Sequence, residues 1–476
     1  MAERGGKRTK VVATVGPATQ AEHMIRSLAQ KGVDILRINF SHGTDEGRLA
    51  VITAIKKARS ELDLPLAILA DLQGPKIRLG TFSGGPVEVC SGATLRLVPH
   101  CIDGTATEAS IDYCLPPQEV KPGETVFIND GLIQLKVREL EGDTLVTDVV
   151  KGGMLSDHKG VNFPHSRLNI PSITEKDKHD LLTALRSSVD YVAMSFVRTA
   201  DDVRQLRTQM EAHGAHVPIV AKIEKWEAVQ NIDEILATAD AVMVARGDLG
   251  VELPVEEIPI IQKRIIALCN KLGKPVITAT QMLNSMVDNP SPTRAEVTDV
   301  ANAIFDGTDA VMLSNETAVG HYPLETVETM GRIIESTERS KLYWQSVDAR
   351  QMQPSGDTSD AIAHAAVHIA QSVGAKLIVC ATESGHTAIL VSRYRPHASI
   401  LALTPSDTVR RRLTLYSGIV PVVVQQFESV DHILRTAVAM ARLSHMVRRG
   451  DRIIITAGSH AGVTGSTNLI KVEELD

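Results

Sequence analysis

The sequence has few aromatic residues and few cysteines. Phe, Trp and Tyr together make up 3% of its 476 residues, which argues against the base-stacking surfaces that bind single-stranded nucleic acids. The five cysteines are an odd number without CxxC spacing, which fits neither a disulfide framework nor a zinc site. Surplus positive charge is lacking too, because 50 basic residues face 57 acidic ones and the net charge is −7. We therefore expect no nucleic-acid partner.

Long apolar runs are also missing. No segment approaches the roughly 18 apolar residues that a membrane-spanning helix needs. After the basic start MAERGGKRTK, only VVATV precedes Gly16 and Pro17, which is too short for the apolar core of a signal peptide. With 43% hydrophobic and 22% charged residues the composition is that of a folded protein, and the length predicts about three domains. These features predict a cytoplasmic globular protein with no membrane partner, most simply an enzyme.

What the sequence does contain is a series of β-branched segments, each followed by a helix-like stretch. Eight of them are KVVATVG, DILRINF, LAILADL, YVAMSF, IVAKIE, AVMVARGD, PVITAT and AVMLSN. The alternation of strands and helices indicates parallel βαβ units, and eight strands are the number that closes a (β/α)8 TIM barrel. The alternative is an open doubly wound sheet, which the same alternation also fits.

The spacing of these segments predicts three domains. The long stretch between the third and fourth strands contains short alternating strands such as ETVFIND and LIQLKVREL, separated by turn residues. We predict a small β-barrel lid domain there, inserted over the barrel mouth where active sites lie. A new helix–strand rhythm follows the polar segment QMQPSGDTSD and predicts a C-terminal α/β domain. The predicted boundaries are 1–71 and 171–345 for the barrel, 72–170 for the lid, and 346–476 for the C-terminal domain.

Polar side chains stand at the carboxyl ends of the predicted barrel strands. Because the active sites of barrels lie at this rim, we expect these side chains to gather in one place. They are Arg37, Asn39 and Ser41 on strand two, Asp71 on strand three, Lys222 and Glu224 on strand five, Asp248 on strand six and Thr280 on strand seven. One such residue alone would be a cap or a satisfied ion pair, but buried charges at so many strand ends are costly unless they are used.

The residue types at this rim predict a phosphorylated substrate. Glu224 and Asp248 are hard carboxylate ligands on neighbouring strands, which suit Mg2+ or Mn2+. Lys222 and Arg37 are cations directed at the same mouth, and together with the metal they form a clamp for a highly anionic substrate. The sequence has no GxxxxGK[ST] motif, so phosphoryl transfer here would use a scaffold other than a P-loop.

Two other functions remain open at this point. A Mg-dependent lyase or aldolase acting on pyruvate-like enolates would use the same pair of metal ligands, but it would need neither the lid nor a nucleotide. A metabolite sensor without catalysis would use only the C-terminal domain, and the charged barrel mouth would then have no use. Dependence of the reaction on ADP separates the lyase from a phosphotransferase.

Seven segments of the chain resemble the pyruvate kinase family. They are TKVVATVGPAT (9–19), RINFSHG (37–43), AKIEKWEAV (221–229), VMVARGDLGVELP (242–254), ATQMLNSM (279–286), PTRAEVTDVANAI (292–304) and DAVMLSNETAVG (309–320). The resemblance implies a glycolytic phosphotransferase that moves the phosphoryl group of phosphoenolpyruvate to ADP, giving pyruvate and ATP. It also implies a homotetramer of the bacterial type, allosterically activated through its C-terminal domain.

The resemblance further implies a role for each matching residue. Arg37 and Lys222 would bind and stabilise the transferring phosphoryl group, and Thr280 would belong to the relay that protonates the enolate. Substrate contacts would come from Arg37, Lys222, Gly247, Asp248 and Thr280, and the ligands of Mg2+ (or Mn2+) would be Glu224 and Asp248. The nucleotide would be bound by Asn39, Phe40, Ser41, His42, Arg78 and Lys159.

One departure from the family pattern concerns K+. Members that require K+ hold it with oxygens at positions matching Asn39, Ser41, Asp71 and the next residue, which is Leu72 here and offers no side-chain oxygen. Lys76 stands where those members have a glutamate, and its ammonium could replace the monovalent cation. We therefore predict a member of the K+-independent subgroup. The alternative is that Lys76 only forms a salt bridge at the hinge of the lid.

Two loops of the C-terminal domain predict an effector site. TESGHT (382–387) lies between a strand and a helix, where exposed amides and hydroxyls can bind phosphate, and AGSHAGVTGSTN (457–468) is a second such loop. The candidate residues are Thr382, Ser384, Gly385, His386, Thr387, Ser459 and Thr464. Glu383 and His386 replace cationic positions of members that respond to a bisphosphate, which favours a sugar monophosphate or AMP. The alternative is ordinary helix capping.

Overall fold

The computed structural model describes residues 6–113, 119–164, 166, 168–350, 352–458 and 467–476. Their first segment forms three strands and two helices of a barrel: β1 (Lys10–Val15), α1 (Glu22–Gln30), β2 (Ile35–Asn39), α2 (Asp45–Leu62) and β3 (Ala67–Asp71). Strands β1 and β3 are buried along their whole length, which is why they read as continuous apolar runs rather than alternating ones. Helix α2 begins at Thr44, whose side chain accepts a hydrogen bond from the amide of Gly47.

An all-β unit follows β3. Its strands are β4 (Val87–Val89), β5 (Thr94–Val98), β6 (Glu108–Ser110), β7 (Thr125–Ile128), β8 (Ile133–Glu141), β9 (Thr144–Lys151), β10 (Gly153–Leu155) and β11 (Val161–Asn162). Six of them form one sheet in the order β11-β7-β8-β9-β5-β6, and β10 pairs with β4. This unit has a hydrophobic core of its own, built around side chains such as Leu95, Leu97 and Leu135. It is therefore an inserted domain at the carboxyl end of β3, as the sequence predicts.

The second part of the barrel contains five more strands. In chain order its elements are α3 (Glu175–Arg186), β12 (Tyr191–Met194), α4 (Ala200–Ala212), β13 (Ile219–Ile223), α5 (Trp226–Gln230), α6 (Ile232–Thr238), β14 (Ala241–Ala245), α7 (Arg246–Glu252), α8 (Ile258–Leu272), β15 (Val276–Ala279), α9 (Arg294–Asp306), β16 (Ala310–Leu313), α10 (Asn315–Ala318), α11 (Pro323–Glu338) and α12 (Lys341–Asp348). Short 3-10 helices occur at Val255–Glu257 and Asn284–Val287.

The eight barrel strands close in the order β1-β2-β3-β12-β13-β14-β15-β16, and β16 pairs with β1. All these pairs are parallel, so every carboxyl end lies at one rim, and Asn39 stands beside Asp71 in the register of β2 and β3. Side chains such as Val12, Leu69 and Met243 fill the interior. The closed barrel confirms the predicted TIM fold and excludes the open sheet.

The C-terminal domain is a three-layer α/β unit. Its elements are α13 (Thr358–Ser372), β17 (Leu377–Ala381), α14 (His386–Arg393), β18 (Ser399–Thr404), α15 (Asp407–Arg412), β19 (Ile419–Val423), α16 (Val430–Leu443), β20 (Arg452–Gly458) and β21 (Thr467–Glu474), with a 3-10 turn at Leu413–Leu415. The sheet has the order β19-β18-β17-β20-β21, with only β21 antiparallel. Helices α13 and α14 cover one face and α16 the other. No helix in the described parts of the chain is long and apolar enough to cross a membrane.

The predicted boundary at residue 345 falls inside α12. Tyr343 and Val347 of this helix are buried in the hydrophobic core between the barrel strands and their helices. Helix α12 is thus part of the barrel, and we propose a boundary after Asp348. The boundaries at residues 71 and 170 stay predictions.

A buried carboxylate joins the barrel to the C-terminal domain. Asp309, just before β16, pairs with the Arg395 guanidinium at 2.9 Å and accepts hydrogen bonds from the amides of Ser417 and Val276, each at 3.1 Å. Next to this joint, Leu415 of the C-terminal domain packs into the hydrophobic cluster of the barrel interior. Burial raises the pKa of Asp309, while the charge of Arg395 opposes this rise. The joint is therefore a desolvated ion pair that needs both partners.

We expect Asp309→Asn to lower the free energy of unfolding by about 3 kcal/mol, because it leaves the Arg395 guanidinium buried without a counter-ion. Urea denaturation followed by circular dichroism measures this. The matched control is Asp63→Asn, because Asp63 pairs with Arg410 at 2.9 Å but has a side chain 84% exposed. We expect that control to change stability by less than about 1 kcal/mol. Equal effects of the two substitutions would contradict the prediction.

Candidate active site

The charged residues at the carboxyl rim of the barrel form one ion cluster. Its centre is Asp71 of β3, which is 1% exposed. One of its oxygens accepts from Nε of Arg37 at 2.7 Å, and the other lies 3.3 Å from Nζ of Lys222. Burial would raise the pKa of Asp71, but the charges of Lys222 and Arg37 outweigh burial and lower it. Asp71 is therefore ionised and holds two cations at the barrel mouth.

The ammonium of Lys222 lies among three acceptors of the protein, one hydrogen-bonded and two carboxylates in ion pairs. Nζ lies 2.7 Å from Oε1 of Glu224, 2.7 Å from Oγ of Ser195 and 3.3 Å from Oδ1 of Asp71. Burial works to lower the pKa of Lys222, but the carboxylates of Asp71 and Glu224 prevail and raise it above its ordinary value. Lys222 is thus a permanent, buried positive charge, which suits electrostatic stabilisation rather than proton transfer.

Glu224 and Asp248 form the predicted carboxylate pair. Glu224 directly follows β13, is buried, and accepts a hydrogen bond from the amide of Phe196 at 2.8 Å. Strand β14 ends at Ala245, so Asp248 lies in the first turn of α7 and not on the strand end that the sequence predicts. Burial and the neighbouring Glu224 carboxylate raise the pKa of Asp248 to about 6. Two facing carboxylates that disfavour each other's charge fit a divalent cation.

The remaining ligands of such a cation would come from outside the protein. Among the described residues there is no group of three or more His, Cys, Asp and Glu side chains that could hold a metal. A pair of carboxylates with open positions is typical of Mg2+, which keeps waters and takes substrate oxygens.

Gly247 and Thr280 lie together at the start of α7. The amide of Gly247 donates to Oγ1 of Thr280 at 2.8 Å, and this hydroxyl donates to the carbonyl of Ala279 at 2.6 Å. Thr280 has a φ of 69°, which a β-branched residue rarely adopts, and Arg246 donates to its carbonyl at 2.8 Å. Strain of this kind is held only where the surroundings over-determine it, often at functional sites.

The predicted nucleotide residues surround a loop between β2 and α2. Oδ1 of Asn39 accepts from the amide of Ser41 at 3.0 Å, and His42 is exposed. Burial and the charges of Arg78 and Arg37 lower the pKa of His42, and the guanidinium of the lid residue Arg78 donates to the carbonyl of His158 at 3.0 Å. Lys159 pairs with the same lid segment, since its carbonyl accepts from the amide of Leu79 at 2.8 Å. The side chain of Phe40 is fully buried, its amide donates to the carbonyl of Asp71 at 2.9 Å, and its carbonyl accepts from Nη2 of Arg48 at 3.0 Å, so Phe40 anchors the loop.

Two of the three side chains predicted to hold a monovalent cation have partners in the protein. Asp71 is bound to Arg37 and Lys222, and Oδ1 of Asn39 accepts from the amide of Ser41 at 3.0 Å. Nζ of Lys76 lies 3.9 Å from Oδ1 of Asp130, in the lid. This is the ion pair that Lys76 makes within the described residues, and it agrees with the alternative of a salt bridge at the lid hinge.

The predicted effector loop 382–387 is partly occupied by its own contacts. Oγ1 of Thr382 accepts from the amide of Gly385 at 2.9 Å, and Gly385 caps α14 with a φ of 89°. Oγ1 of Thr387 lies 2.6 Å from Oγ1 of Thr467, whereas Ser384 and His386 are exposed. The other two candidates, Ser459 and Thr464, lie outside the described residues.

Ser195 is a member of the cluster that the sequence did not predict. This buried serine, one residue beyond β12, accepts from Lys222 and donates to Leu72. Polar residues were identified at the ends of five other strands, and the same criterion applied to YVAMSF would have found it. Thr14 of β1 was also missed, and its hydroxyl accepts from Nη1 of Arg37 at 2.9 Å.

Comparison with known proteins agrees with this arrangement. Residues 6–327 match the family model described as pyruvate kinase, barrel domain, and residues 360–473 match pyruvate kinase, alpha/beta domain. Pyruvate kinase 2 of Synechocystis sp. is 46% identical over 473 residues, which cover 98% of this chain and 79% of the relative. Pyruvate kinase of Clostridium acetobutylicum is 42% identical and covers 99% of this chain and 100% of the relative.

A solved structure shares the whole fold. The crystal structure of a pyruvate kinase from Cryptosporidium parvum superposes with a TM-score of 0.93 at 36% identity. The match covers 99% of this chain and 97% of that one.

We expect Glu224→Gln to weaken Mn2+ binding by on the order of tenfold or more, because it removes one of two charged ligands. Electron paramagnetic resonance of free Mn2+ measures this binding. The matched control is Glu252→Gln, because Glu252 is equally buried and pairs with Lys225 at 2.6 Å, as Glu224 pairs with Lys222. We expect the control to bind Mn2+ like the unmodified protein. Unchanged affinity in Glu224→Gln would remove this residue from the metal site.

Proposed function

Because this chain belongs to the pyruvate kinase family, we propose that the ion cluster at its barrel mouth carries out the transfer that defines the family. The protein is a glycolytic phosphotransferase, which moves the phosphoryl group of phosphoenolpyruvate to ADP and forms pyruvate and ATP. The assignment of roles to single residues is our proposal. The observation that carries it is the buried ammonium of Lys222, held among Asp71, Glu224 and Ser195 at the rim.

Arg37 and Lys222 supply the fixed positive charge. The transition state of phosphoryl transfer is loose and anionic, so positioning and preorganised cations do most of the catalytic work. We assign the substrate phosphate to Arg37, whose guanidinium is 11% exposed and oriented by Asp71 and Thr14. Lys222 stabilises the phosphoryl group in flight and the enolate oxygen that it leaves behind.

Pyruvate kinases need a divalent metal. We propose Mg2+ (or Mn2+), held by the buried Glu224 and the partly buried Asp248, because this carboxylate pair leaves positions for substrate oxygens. When bound, the ion supplies Lewis-acid stabilisation of negative charge on those oxygens.

Gly247 and Thr280 are proposed to bind the substrate carboxylate. The amide of Gly247, in the first turn of α7, donates to the Thr280 hydroxyl, so both groups stand at a helix start, where an anion is favoured. We extend the proposal to a proton relay through Thr280 toward the enolate. A hydroxyl is a poor acid alone, so other donors have to complete such a relay.

We propose that ADP binds between the lid and the loop after β2. Asn39, Phe40, Ser41 and His42 supply one side of this site, with Phe40 anchoring the loop through its buried ring and its bonded backbone. The lid supplies Arg78 and Lys159. Support comes from the exposed side chain of His42, whose pKa is lowered by burial and by the charge of Arg78.

The C-terminal domain and the exposed apolar side chains of the barrel support proposals on regulation and assembly. We propose allosteric activation by a phosphorylated monoester, a sugar monophosphate or AMP, at the loop 382–387, where Glu383 disfavours a more highly charged bisphosphate. We also propose a homotetramer in the cytoplasm. Val255 and Ile260, beside and on α8, are 71% and 67% exposed, and such apolar side chains support association of barrels.

We expect Lys222→Met to lower kcat for pyruvate formation on the order of a thousandfold or more, because fixed charge at the transferring group is lost. A coupled assay of pyruvate measures this, with and without ADP. The matched control is Lys225→Met, since Lys225 also pairs with a buried glutamate, Glu252. We expect it to keep kcat within about tenfold. Comparable losses in both variants would argue against the role of Lys222.

We propose that the enzyme works without K+, because Asp71 and Asn39 of the predicted pocket have partners within the protein and Lys76 supplies a fixed cation near the lid hinge. In tetramethylammonium buffer free of Na+ and K+, we expect the rate to stay within about twofold of the rate with K+. Lys76→Glu should make the rate depend on K+. Strong K+ activation of the unmodified enzyme would contradict the proposal.

A further inference from the structure

Arg48 holds the loop after β2 by its backbone. It lies in the first turns of α2 with a side chain 8% exposed. Nη2 donates to the carbonyls of Phe40 and Gly43, each at 3.0 Å, and Nε donates to the carbonyl of His42 at 3.2 Å. Three carbonyls within four residues are thus bound by one guanidinium.

Two carboxylates hold the guanidinium of Arg48, and a second cation, Lys176, binds one of these carboxylates and the same loop. Nη1 of Arg48 lies 2.7 Å from Oδ1 of Asp45 and 3.2 Å from Oδ1 of the buried Asp180. Lys176 of α3 pairs with the same Asp180 and donates to the Phe40 carbonyl at 2.7 Å. Residues of both α2 and α3 therefore form hydrogen bonds with the backbone of the loop 40–43.

These hydrogen bonds determine which groups of the loop face the barrel mouth. Because the carbonyls of Phe40, His42 and Gly43 point to Arg48, they are not available to a ligand, and the side chain of His42 is left exposed. The guanidinium also lies 4.9 Å from the centre of the Phe40 ring, which it holds against the core. A lysine could not reproduce this arrangement, since only the planar guanidinium presents its donors in a fixed fork.

We propose that Arg48 is a positioning residue for ADP, acting through the loop 40–43 without touching the nucleotide. The inference rests on the proposed nucleotide site at this loop. It predicts a selective effect, because Arg37 and Lys222 are fixed separately by Asp71. Loss of the hydrogen bonds from Arg48 to the loop therefore raises KM for ADP and leaves KM for phosphoenolpyruvate unchanged.

The test is Arg48→Lys, which keeps the charge and loses the fork. We expect KM for ADP to rise on the order of tenfold, the scale of one lost charged hydrogen bond, with KM for phosphoenolpyruvate within about twofold. Lys176→Gln removes the second hydrogen bond to the Phe40 carbonyl and should shift KM for ADP in the same direction. Initial rates with one substrate varied at saturating levels of the other measure both constants.

The matched control is Arg59→Lys, in the last turn of the same helix. Arg59 is also partly buried and pairs with a buried aspartate, Asp190, at 3.1 Å, but it lies away from the loop. We expect it to change neither KM. If Arg48→Lys behaves like this control, or raises both KM values equally, Arg48 only stabilises the fold and the inference is overturned.

A further variant separates this inference from the nucleotide assignment on which it rests. Arg78→Met removes a proposed ADP contact on the lid. If Arg78→Met raises KM for ADP while Arg48→Lys does not, the nucleotide site stands and the role of Arg48 is wrong. If neither substitution moves KM for ADP, the nucleotide assignment itself is wrong.

Discussion

The buried carboxylate of Asp71 is the group on which the active site depends. It holds Arg37 and Lys222 at the barrel mouth, two cations that would otherwise repel each other in a poorly hydrated place. Burying such charges costs on the order of several kcal/mol per ion, and only direct pairing offsets this cost. Since Asp71 ends a barrel strand, its position is set by the parallel ladder of β2, β3 and β12. The fold therefore creates the positive field before any substrate arrives, which is the condition for electrostatic catalysis.

The hydrogen bonds of Lys222 explain why a serine belongs to this cluster. An ammonium has three donors, and here they face Asp71, Glu224 and Ser195. Two of these acceptors, Asp71 and Ser195, have no role as proposed metal ligands. They can keep the ammonium in place while the donor now on Glu224 turns to a substrate oxygen. Because two fixed acceptors hold the ammonium, its position changes little when it exchanges its third partner. The cluster therefore stays preorganised throughout the reaction.

Much of the fold could be predicted because each feature has a local signature. Barrel strands buried on both faces read as apolar runs, and the inserted strands alternate around turns. The end of the barrel could not be placed, because α12 is short and buries only Tyr343 and Val347. Strand-end carboxylates and cations were found from residue type. Arg48 was not found, because the contacts by which it holds the loop 40–43 are with backbone carbonyls. Every residue has a carbonyl, so the sequence does not show which one is bound.

The two substrate sites are therefore supported in different ways. Arg37 and Lys222 are fixed by side-chain carboxylates on neighbouring strands, whereas the loop 40–43 is fixed through its carbonyls by residues of α2 and α3. Hydrogen bonds to backbone carbonyls do not depend on which side chains the loop has. The exposed side chain of His42 is left to serve the nucleotide, and changes in α2 can alter nucleotide affinity without moving the ammonium of Lys222. Binding of the acceptor and stabilisation of the transferred group are thus separable properties of one barrel rim.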